Sequence, residues 1–466
     1  MKALLCHSCT DYNYVRAVTA EVGRQFCVAW PFVNPEEIKP ILLNGSDEQG
    51  LVVLFVSMGW LEPHMEWLKI DEAAVAAQLP DLSKVLVFLL DKSSDVTQLP
   101  EVLRRCRIVR ALSPKFVARE IRYWLNQILG QGELPEYVGR TKELKQAKTT
   151  LTLGDGVDTP SVFGLYGLEG IGRKTFLRSL AQETLNLPKQ VVIKLDSQDM
   201  LKDIAHKVIK LTEPYTSNEE LKQIFASIDN LPDSELIKRI LTNMRRMTAT
   251  GELPIFLDRG GLLDSTGQIA QAVRTIISNV NSGDDVYLCL ITNRLPVQER
   301  SYGAKSIPFI RLDPLNIDEV KYLIVCVAKA NNVELTSAQV AEVAEYLGGF
   351  APAVYYAIEL IKERGLELVL ADKASLVDFR ANAFTQQLGK LTLNNNEKKI
   401  LSLLATYCPL PLRVMEDVLK LDVDALTKAV VNLINLALIV PDDVNNYWLS
   451  GPVAEAVGRT FGKLAK

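Results

Sequence analysis

The chain has 466 residues, which is too many for a single hydrophobic core, so about three or four domains are expected. Charged residues make up 23% of the chain and the net charge is -4, so nothing in the composition indicates binding to nucleic acid or to a membrane surface. The seven cysteines lack the spacing of a disulfide framework, and no apolar run approaches the ~20 residues of a membrane span. We therefore expect a cytoplasmic protein with reduced thiols.

The N-terminal part of the sequence alternates short apolar runs with helical patterns. The apolar runs lie at residues 3–5, 26–30, 51–57, 85–90 and 107–112. The helical patterns lie at residues 12–22, 36–43, 65–78 and 113–129. Such alternation predicts a parallel sheet with helices on both faces, and the breaker-rich stretch 130–135 predicts a linker after it. The first predicted domain is therefore 1–130.

The remaining sequence predicts three further domains and completes an α/β multidomain fold. Strand-like runs lie at residues 161–166, 190–195, 254–258 and 286–292, with a helical pattern at 174–185. From about residue 317 the pattern is helical, and the last part gives three helical segments and a strand pair at 437–440 and 447–449. We predict a nucleotide-binding α/β domain at 131–311, a helical lid at 312–390 and a winged helix at 391–466.

A glycine-rich segment between the first strand of the second α/β region and its helix predicts a phosphate-binding loop for ATP or ADP. Its candidate ligand-binding residues are Gly167, Gly170, Gly172, Arg173, Lys174 and Thr175. Glycines let successive backbone amides turn towards phosphates, and the helix N-terminus adds a positive dipole end. Without a gap, Arg173 occupies the position of the phosphate-binding lysine, and Lys174 that of the magnesium-binding hydroxyl. Lys174 and Thr175 regain those positions if the loop holds one extra residue; the alternative is a glycine-rich turn without a ligand.

The two later strands of this region end in residues suited to nucleotide chemistry. Asp258 ends one strand, where a carboxylate would bind Mg²⁺, and Arg259 follows it. Hydrolysing P-loop proteins usually have an acidic residue at the position of Arg259, so we expect weak or absent ATP hydrolysis. Arg294 follows the next strand, where a sensor residue would contact the γ-phosphate. One hypothesis is that the charge of Lys174 replaces that of magnesium.

An ordered set of motifs resembles the STAND NTPases, the class of P-loop proteins that contains NB-ARC and NACHT domains. The motifs are Val138-Gly139-Arg140 with Glu143-Leu144, the P-loop, Arg294, Leu312-Asp313-Pro314-Leu315 and Gly349-Phe350-Ala351-Pro352. The resemblance covers about residues 137–462 and implies that the Arg140 segment lies against adenine and that Pro352 touches the nucleotide. The histidine that the family often carries in its winged helix is absent from residues 448–451.

The predicted winged helix leaves DNA binding open as an alternative. Phosphate contacts supply most DNA affinity, yet residues 421–440 contain only one basic residue, Lys428. A packing role for this domain is therefore favoured over DNA recognition. A transcription regulator with an N-terminal receiver domain would need an acidic cluster after the first strand, where only Asp11 is near.

The N-terminal domain resembles TIR domains, which have a flavodoxin-like fold and in many cases cleave the nicotinamide–ribose bond of NAD. The resemblance rests on residues 4–11, 27–30 and 51–57, and on Trp67 followed by Asp71 and Glu72. One carboxylate near the ribose can stabilise an oxocarbenium-like transition state. The family uses glutamate, which favours Glu72, whereas the spacing of four residues places Asp71 on the same helix face as Trp67. Cys6 and Cys9 leave a redox pair as an alternative.

Together the resemblances imply a TIR–STAND protein, related to the NLR proteins of immunity and antiphage defence. Such a protein is a nucleotide-switched effector that assembles into a homo-oligomer when triggered and then cleaves NAD. The family usually adds a sensor after the winged helix, so we expect the sensor in another chain or beyond this sequence. The rival hypothesis is a non-enzymatic adaptor whose TIR domain recruits partners.

Overall fold

The computed structural model describes residues 2–32, 50–57, 84–90, 96–99, 101–130, 139–152, 160–215, 217–264, 266–280, 286–297, 307–442, 444 and 446–462. The chain divides into two compact units. The first contains Met1–Leu134 and Met200–Arg246, and the second contains Pro135–Asp199 and Met247–Lys466. The polypeptide therefore leaves the first unit, enters the second and returns once. Sequence patterns alone gave no sign of this return.

The strands and helices are numbered in chain order over the described residues. The strands are β1 (Lys2–Ser8), β2 (Cys27–Phe32), β3 (Gly50–Val56), β4 (Val85–Leu89), β5 (Arg107–Arg110), β6 (Val162–Tyr166), β7 (Lys189–Asp196), β8 (Glu252–Arg259), β9 (Leu288–Thr292), β10 (Phe309–Arg311), β11 (Leu410–Pro411), β12 (Ile439–Pro441) and β13 (Asn446–Leu449). The helices are α1 (Tyr12–Val22), α2 (Glu101–Arg104), α3 (Pro114–Gly130), α4 (Thr141–Thr152), α5 (Arg173–Leu185), α6 (Leu201–Thr212), α7 (Asn218–Asp229), α8 (Asp233–Ala249), α9 (Gln271–Ser278), α10 (Ile317–Ala330), α11 (Ser337–Glu345), α12 (Ala351–Arg364), α13 (Leu366–Ala371), α14 (Lys373–Leu388), α15 (Asn395–Tyr407), α16 (Leu412–Leu419), α17 (Val423–Asn435) and α18 (Ala454–Phe461).

The first unit is built on a parallel sheet whose described strands have the order β2-β1-β3-β4-β5. β3 and β4 are buried along their whole length, as expected for strands covered on both faces. Helices α1 and α3 cover one face, where Val15, Val18 and Phe116 pack against Phe55. The strand order is the doubly wound order of flavodoxin-like folds. The predicted parallel α/β sheet is confirmed.

The second unit contains another parallel sheet, of order β10-β6-β9-β8-β7 over the described residues. Strand β6, which precedes the glycine-rich loop, lies between β9 and β10. Both β6 and β9 are buried throughout, so the loop that follows β6 emerges from an interior strand of the sheet. The carboxyl ends of β6, β8 and β9 point to the same edge, because the strands are parallel.

The C-terminal half of the second unit is helical and ends in a small antiparallel sheet. Helices α10–α14 are followed by α15, β11, α16, α17, β12, β13 and α18, with the strand order β11-β13-β12. The sequence predicted three helices and two strands here, whereas the structure has four helices and also β11, which is only Leu410–Pro411. One continuous apolar core joins the P-loop sheet, the helices and this terminal module. Across the described residues, every helix is too short or too polar to cross a membrane.

Candidate nucleotide-binding site

The glycine-rich loop runs from Gly167 to Gly172, between the end of β6 and the start of α5. Gly167 has a φ of 149°, and a Cβ atom there would lie 2.4 Å from the carbonyl oxygen of Leu312, so only glycine fits. At Gly172 the φ is 94° and a Cβ atom would meet no described atom within 4 Å. The space beside the first turn of α5 is therefore open, as a site for a phosphate at this helix N-terminus requires.

The register of α5 places Arg173 directly after the loop. The helix starts at Arg173, with Gly172 as its N-cap, and the amide of Phe176 donates to the carbonyl oxygen of Gly172 at 2.9 Å. The loop therefore holds no extra residue before the helix. Arg173 occupies the position of the phosphate-binding lysine, and Lys174 and Thr175 follow as exposed residues of the first helical turn.

The Arg173 side chain points into the protein rather than into solvent. It is 8% exposed, and its guanidinium donates to the carbonyl oxygen of Thr292 at the end of β9. Burial lowers the pKa of Arg173 to about 10, while the charges of Glu169 and Asp258 raise it. The guanidinium remains charged at neutral pH, and it connects the loop to the carboxyl ends of β8 and β9.

Lys194 on β7, which belongs to none of the sequence motifs, adds to the positive charge around the first turn of α5. Partial burial and the neighbouring charges of Lys194, Arg173 and Arg259 lower the pKa of Lys174. The side-chain Nε2 of Gln190 on β7 donates to the Lys174 carbonyl oxygen at 3.0 Å, which fixes this turn beside β7. Positive charges close to a helix N-terminus favour an anionic ligand. The sequence did not single out Lys194, because a lone lysine at an exposed position of a strand carries no signal of a binding role.

Asp258 is placed where the sequence predicts a magnesium ligand, and part of its carboxylate is already used. Its Oδ1 accepts hydrogen bonds from the amides of Gly260 at 2.9 Å and Leu262 at 3.1 Å. Magnesium in phosphate sites usually takes one or two carboxylates together with phosphate oxygens and water. Asp258 is a single carboxylate whose Oδ1 is already hydrogen-bonded, and the next residue is the cation Arg259. This arrangement fits only a weak metal site. Over the described residues, no group of three or more His, Cys, Asp or Glu side chains could hold a metal ion.

The predicted sensor residue Arg294 lies against the loop that follows β8. Its Nη2 donates to the carbonyl oxygen of Asp264 at 3.2 Å, and it sits where a Cβ atom at Gly267 would approach within 2.7 Å. The Arg294 carbonyl oxygen accepts a bond from the hydroxyl of Thr292, the residue that also accepts from Arg173. Arg173 and Arg294 are thus joined through one residue at the end of β9.

Arg140 connects three parts of the second unit. It is 3% exposed, and its guanidinium donates to the carbonyl oxygens of Asp313 and Ile171, both at 2.6 Å. Its backbone amide donates to the carboxylate of Glu319 in the first turn of α10. The residue therefore holds the glycine-rich loop and the start of the helical region together. The sequence predicted a nucleotide contact for Arg140, and the structure gives its side chain these two carbonyl partners.

Residues of the helical region cover the tip of the glycine-rich loop. The ring of Phe350 lies so close to Gly170 that a Cβ atom there would be 2.5 Å from the ring. Gln387 on α14 both donates to and accepts from the backbone of Glu169, at 3.2 and 3.3 Å. Helix α12 begins directly after Phe350, and Pro352 is the second residue of that helix. No local pattern indicates a role for Gln387, because its contact with Glu169 spans 218 positions in the chain.

The terminal module also contacts this region. The amide of Leu295, next to Arg294, donates to the Asn435 carbonyl oxygen at 2.8 Å, and Arg311 donates to the Ile439 carbonyl oxygen at 3.1 Å. A Cβ atom at Gly451 would lie 3.1 Å from the carbonyl oxygen of Gly348, just before the Phe350 turn. The terminal module therefore packs against residues that neighbour the loop, after β9, at β10 and before Phe350.

The predicted catalytic residues of the first unit, Glu72 and Asp71, lie outside the described residues. Near the carboxyl edge of the sheet, the hydroxyl of Ser57 after β3 donates to Asp11 Oδ2 at 2.9 Å. Cys6 is fully buried in β1 and burial raises the pKa of its thiol, whereas Cys9 is exposed. A reactive thiol needs the opposite environment, so this geometry does not favour a redox pair.

Comparison with solved structures shows that the chain is similar in fold to a P-loop ATPase. A Walker-type ATPase of Pyrococcus abyssi has 14% sequence identity and a TM-score of 0.50, with coverage of 69% of this chain and 96% of that chain. No protein-family model matches the sequence, and no curated protein matches it at a significant level.

Two further solved structures are less similar. The Holliday junction branch migration motor RuvB of Thermotoga maritima has 16% identity and a TM-score of 0.36, covering 72% of this chain and 98% of that chain. The ORC2 protein of Aeropyrum pernix, solved as ADPNP–ADP complexes, has 15% identity and a TM-score of 0.40, covering 71% of this chain and 95% of that chain. The Pyrococcus match is a likeness of fold. The chain thus contains a P-loop ATPase-like α/β fold.

Proposed function

We propose that the second unit is a nucleotide switch that holds ATP or ADP at Gly167–Arg173 beneath a closed helical lid. The observation that carries this proposal is the double contact on the tip of the loop, by Phe350 on Gly170 and by Gln387 on Glu169. A ligand bound to the loop would alter the loop backbone at Glu169 and Gly170, which these two residues contact. Its binding is thereby linked to the position of the helical region.

The residues around the loop support binding more than hydrolysis. Arg259 stands where an acidic residue would polarise water, and Asp258 Oδ1 is committed to two backbone amides. Lys174, with Lys194 and Arg259 nearby, offers positive charge to the phosphates without a metal. We therefore propose slow or absent hydrolysis, with Mg²⁺ contributing little to affinity.

Substitution of Lys174 tests the nucleotide site. Lys174→Ala removes an exposed cation at the N-terminus of α5, and Arg178→Ala removes an equally exposed cation further along the same helix. We expect Lys174→Ala to weaken ADP binding by about ten-fold or more, as for one charge-assisted contact, and Arg178→Ala to leave it unchanged. Equal affinities in the two variants, measured by fluorescence titration with and without a chelator, would remove Lys174 from the site.

We propose that the first unit is a TIR-like effector that cleaves NAD. The supporting observation is the strand order β2-β1-β3-β4-β5, because such sheets bind ligands at the carboxyl ends where the strand order reverses, between β1 and β3. Asp11 and Ser57 lie at that position. The assignment of Glu72 or Asp71 as the catalytic carboxylate rests on the family resemblance.

NAD consumption by concentrated protein tests this second proposal. Wild type is compared with Glu72→Gln and Asp71→Asn, with nicotinamide release as the measurement. Loss of nicotinamide release in one variant and not in the other would identify the catalytic carboxylate. No consumption by wild type at any concentration would favour the adaptor, in which the first unit only recruits partners.

The complete proposal is a TIR–STAND defence protein that assembles into a homo-oligomer when its lid opens. The terminal module would be a winged helix, which the element order α15-β11-α16-α17-β12-β13 supports. Its shared apolar core with the P-loop sheet favours a packing role over DNA recognition. Size-exclusion chromatography with light scattering tests assembly, with the lid variants described in the Discussion expected to form larger species than wild type.

A further inference from the structure

Helices α6 and α8 of the first unit are joined by a buried polar network. Glu213, just after α6, accepts two hydrogen bonds from the Arg239 guanidinium, at 2.8 and 2.6 Å, and one from the Asn243 amide at 3.0 Å. The hydroxyl of Thr212 donates to Asn243 Oδ1 at 2.8 Å. Thr212, Glu213 and Asn243 are all less than 10% exposed. Satisfied buried networks of this kind hold helices in one arrangement, so α6 and α8 move together.

The end of α6 is fixed to the N-terminal sheet by α3. The last carbonyl groups of a helix have no partner within the helix. The carbonyl oxygen of Leu211 accepts from the hydroxyl of Ser113 at 2.8 Å and from Arg119 Nη2 at 3.1 Å. Ser113 is fully buried, and Arg119 brings a positive charge to the negative end of α6. The contact is a specific cap supplied by one part of the unit to another.

This contact has the character of an interface that can separate. The described apolar cores of the N-terminal sheet contain no side chain from α6, α7 or α8. A cleft of about 700 Å³ lies at this contact, with Arg110 at the end of β5 and Leu112 after it on one side, and Arg239 and Arg246 on α8 on the other. Polar interfaces with little shared apolar area are those expected to open and close.

Short connections join α6 and α8 to β7 and β8, the two neighbouring strands at one side of the second unit's parallel sheet. Residues 197–200 link the end of β7 to α6, and residues 250–251 link α8 to β8. The first link is tight, because Asp199 Oδ2 accepts from the Asp196 amide at 2.6 Å. β7 carries Lys194 and continues directly into α6, whereas α8 enters β8 at its amino end, opposite the carboxyl end that carries Asp258.

We infer that α6, α7 and α8 form a latch that holds the N-terminal sheet in its resting state, and that release of the Leu211 cap by α3 frees this sheet. The coupling of the latch to the P-loop rests on the proposed nucleotide switch. In this arrangement a change at the carboxyl end of β7 reaches the first unit through residues 197–200. The latch is an autoinhibitory contact within the chain, separate from the lid that covers Gly170.

Hydrogen exchange of the full-length chain tests the latch without relying on any activity. Arg119→Gln removes one donor to Leu211 and leaves Ser113 as the cap of α3; Ser113→Ala removes the other donor. We expect about three- to ten-fold faster exchange at the end of α6 in Arg119→Gln, and more in the double variant. Lys115→Ala is the control, since Lys115 pairs with Glu21 at 3.6 Å. Unchanged exchange at the end of α6 in both variants would overturn the latch.

The coupling is tested by adding ADP to wild type in the same experiment, with ADP binding measured separately. We expect bound ADP to slow exchange at the end of α6 by several-fold and to have a smaller effect in Arg119→Gln. If ADP binds and exchange there is unchanged, the coupling is wrong while the proposed nucleotide site stands. If ADP does not bind, the proposed function fails and the coupling fails with it.

Discussion

The closed lid makes a quantitative prediction for Gly170→Ala. The residue has a φ of 87°, and its new Cβ atom would lie 2.5 Å from the Phe350 ring. An L-residue in the left-handed region costs about 1–2 kcal/mol, and overpacking against a ring adds about 1–3 kcal/mol. Gly172→Ala is the matched control, because its φ of 94° gives the same backbone strain with no described atom within 4 Å of the Cβ.

The difference between the two variants isolates the contact with the lid. We expect Gly170→Ala to destabilise the closed position of α12 by about 1–3 kcal/mol more than Gly172→Ala does, which is about a five- to 150-fold difference in opening. Hydrogen exchange of the peptide 351–364 measures this opening. Phe350→Leu should remove most of the difference, as a double-mutant cycle detects. Equal exchange in Gly170→Ala and Gly172→Ala would refute the claim that Phe350 rests on the loop.

Four further predictions follow from single contacts. Gln387→Ala removes two hydrogen bonds to the Glu169 backbone, so exchange of α14 should rise by about five- to thirty-fold, while exposed Gln386→Ala should have no effect. Arg140→Ala leaves the carbonyl oxygens of Asp313 and Ile171 without their donor, so the free energy of unfolding in urea should fall by about 2–4 kcal/mol. Arg140→Lys should not restore this stability, because a single ammonium lacks the two-pronged geometry of the guanidinium. The control Lys142→Ala should leave the stability unchanged. Asp258→Asn keeps an oxygen acceptor for the amides of Gly260 and Leu262, so stability should change little, and any magnesium-dependent part of ADP affinity should disappear in a titration with and without chelator. Burial raises the pKa of Glu213, but the hydrogen bonds from Arg239 and Asn243 outweigh burial and hold this pKa below its ordinary value. The ionised Glu213 therefore stabilises the fold above the unfolded-state pKa of about 4.3, and this stabilisation is lost as the pH falls through the folded-state pKa. In Glu213→Gln the loss of unfolding free energy at acid pH should be smaller than in wild type.

Much of the strand framework could be predicted from sequence, because buried parallel strands are continuous apolar runs. Residues 85–90 and 161–166 were placed within a residue or two of β4 and β6. The glycine-rich loop between β6 and α5 was predictable for a local reason, since strand, glycines and helix follow each other directly. Strand β11 was missed because two residues that include a proline carry no periodic signal.

Contacts between distant parts of the chain could not be predicted from local patterns. Helix α6 has an ordinary amphipathic sequence, and nothing in it indicates that Ser113 and Arg119 cap its last turn. The Arg140 motif predicted a residue near the nucleotide, but the two carbonyl partners of its guanidinium depend on how residues 171 and 313 meet. Such pairings are set by tertiary packing, which a single sequence does not display.

Calorimetric titration of the wild-type chain with ADP tests the central claim most directly, because it needs no assumption about catalysis, lid or latch. We predict about one ADP bound per chain, with an affinity that a chelator of Mg²⁺ changes by less than about ten-fold, which is ~1.4 kcal/mol. The absence of binding at millimolar ADP, with Mg²⁺ present or absent, would contradict the claim that Gly167–Arg173 holds a nucleotide.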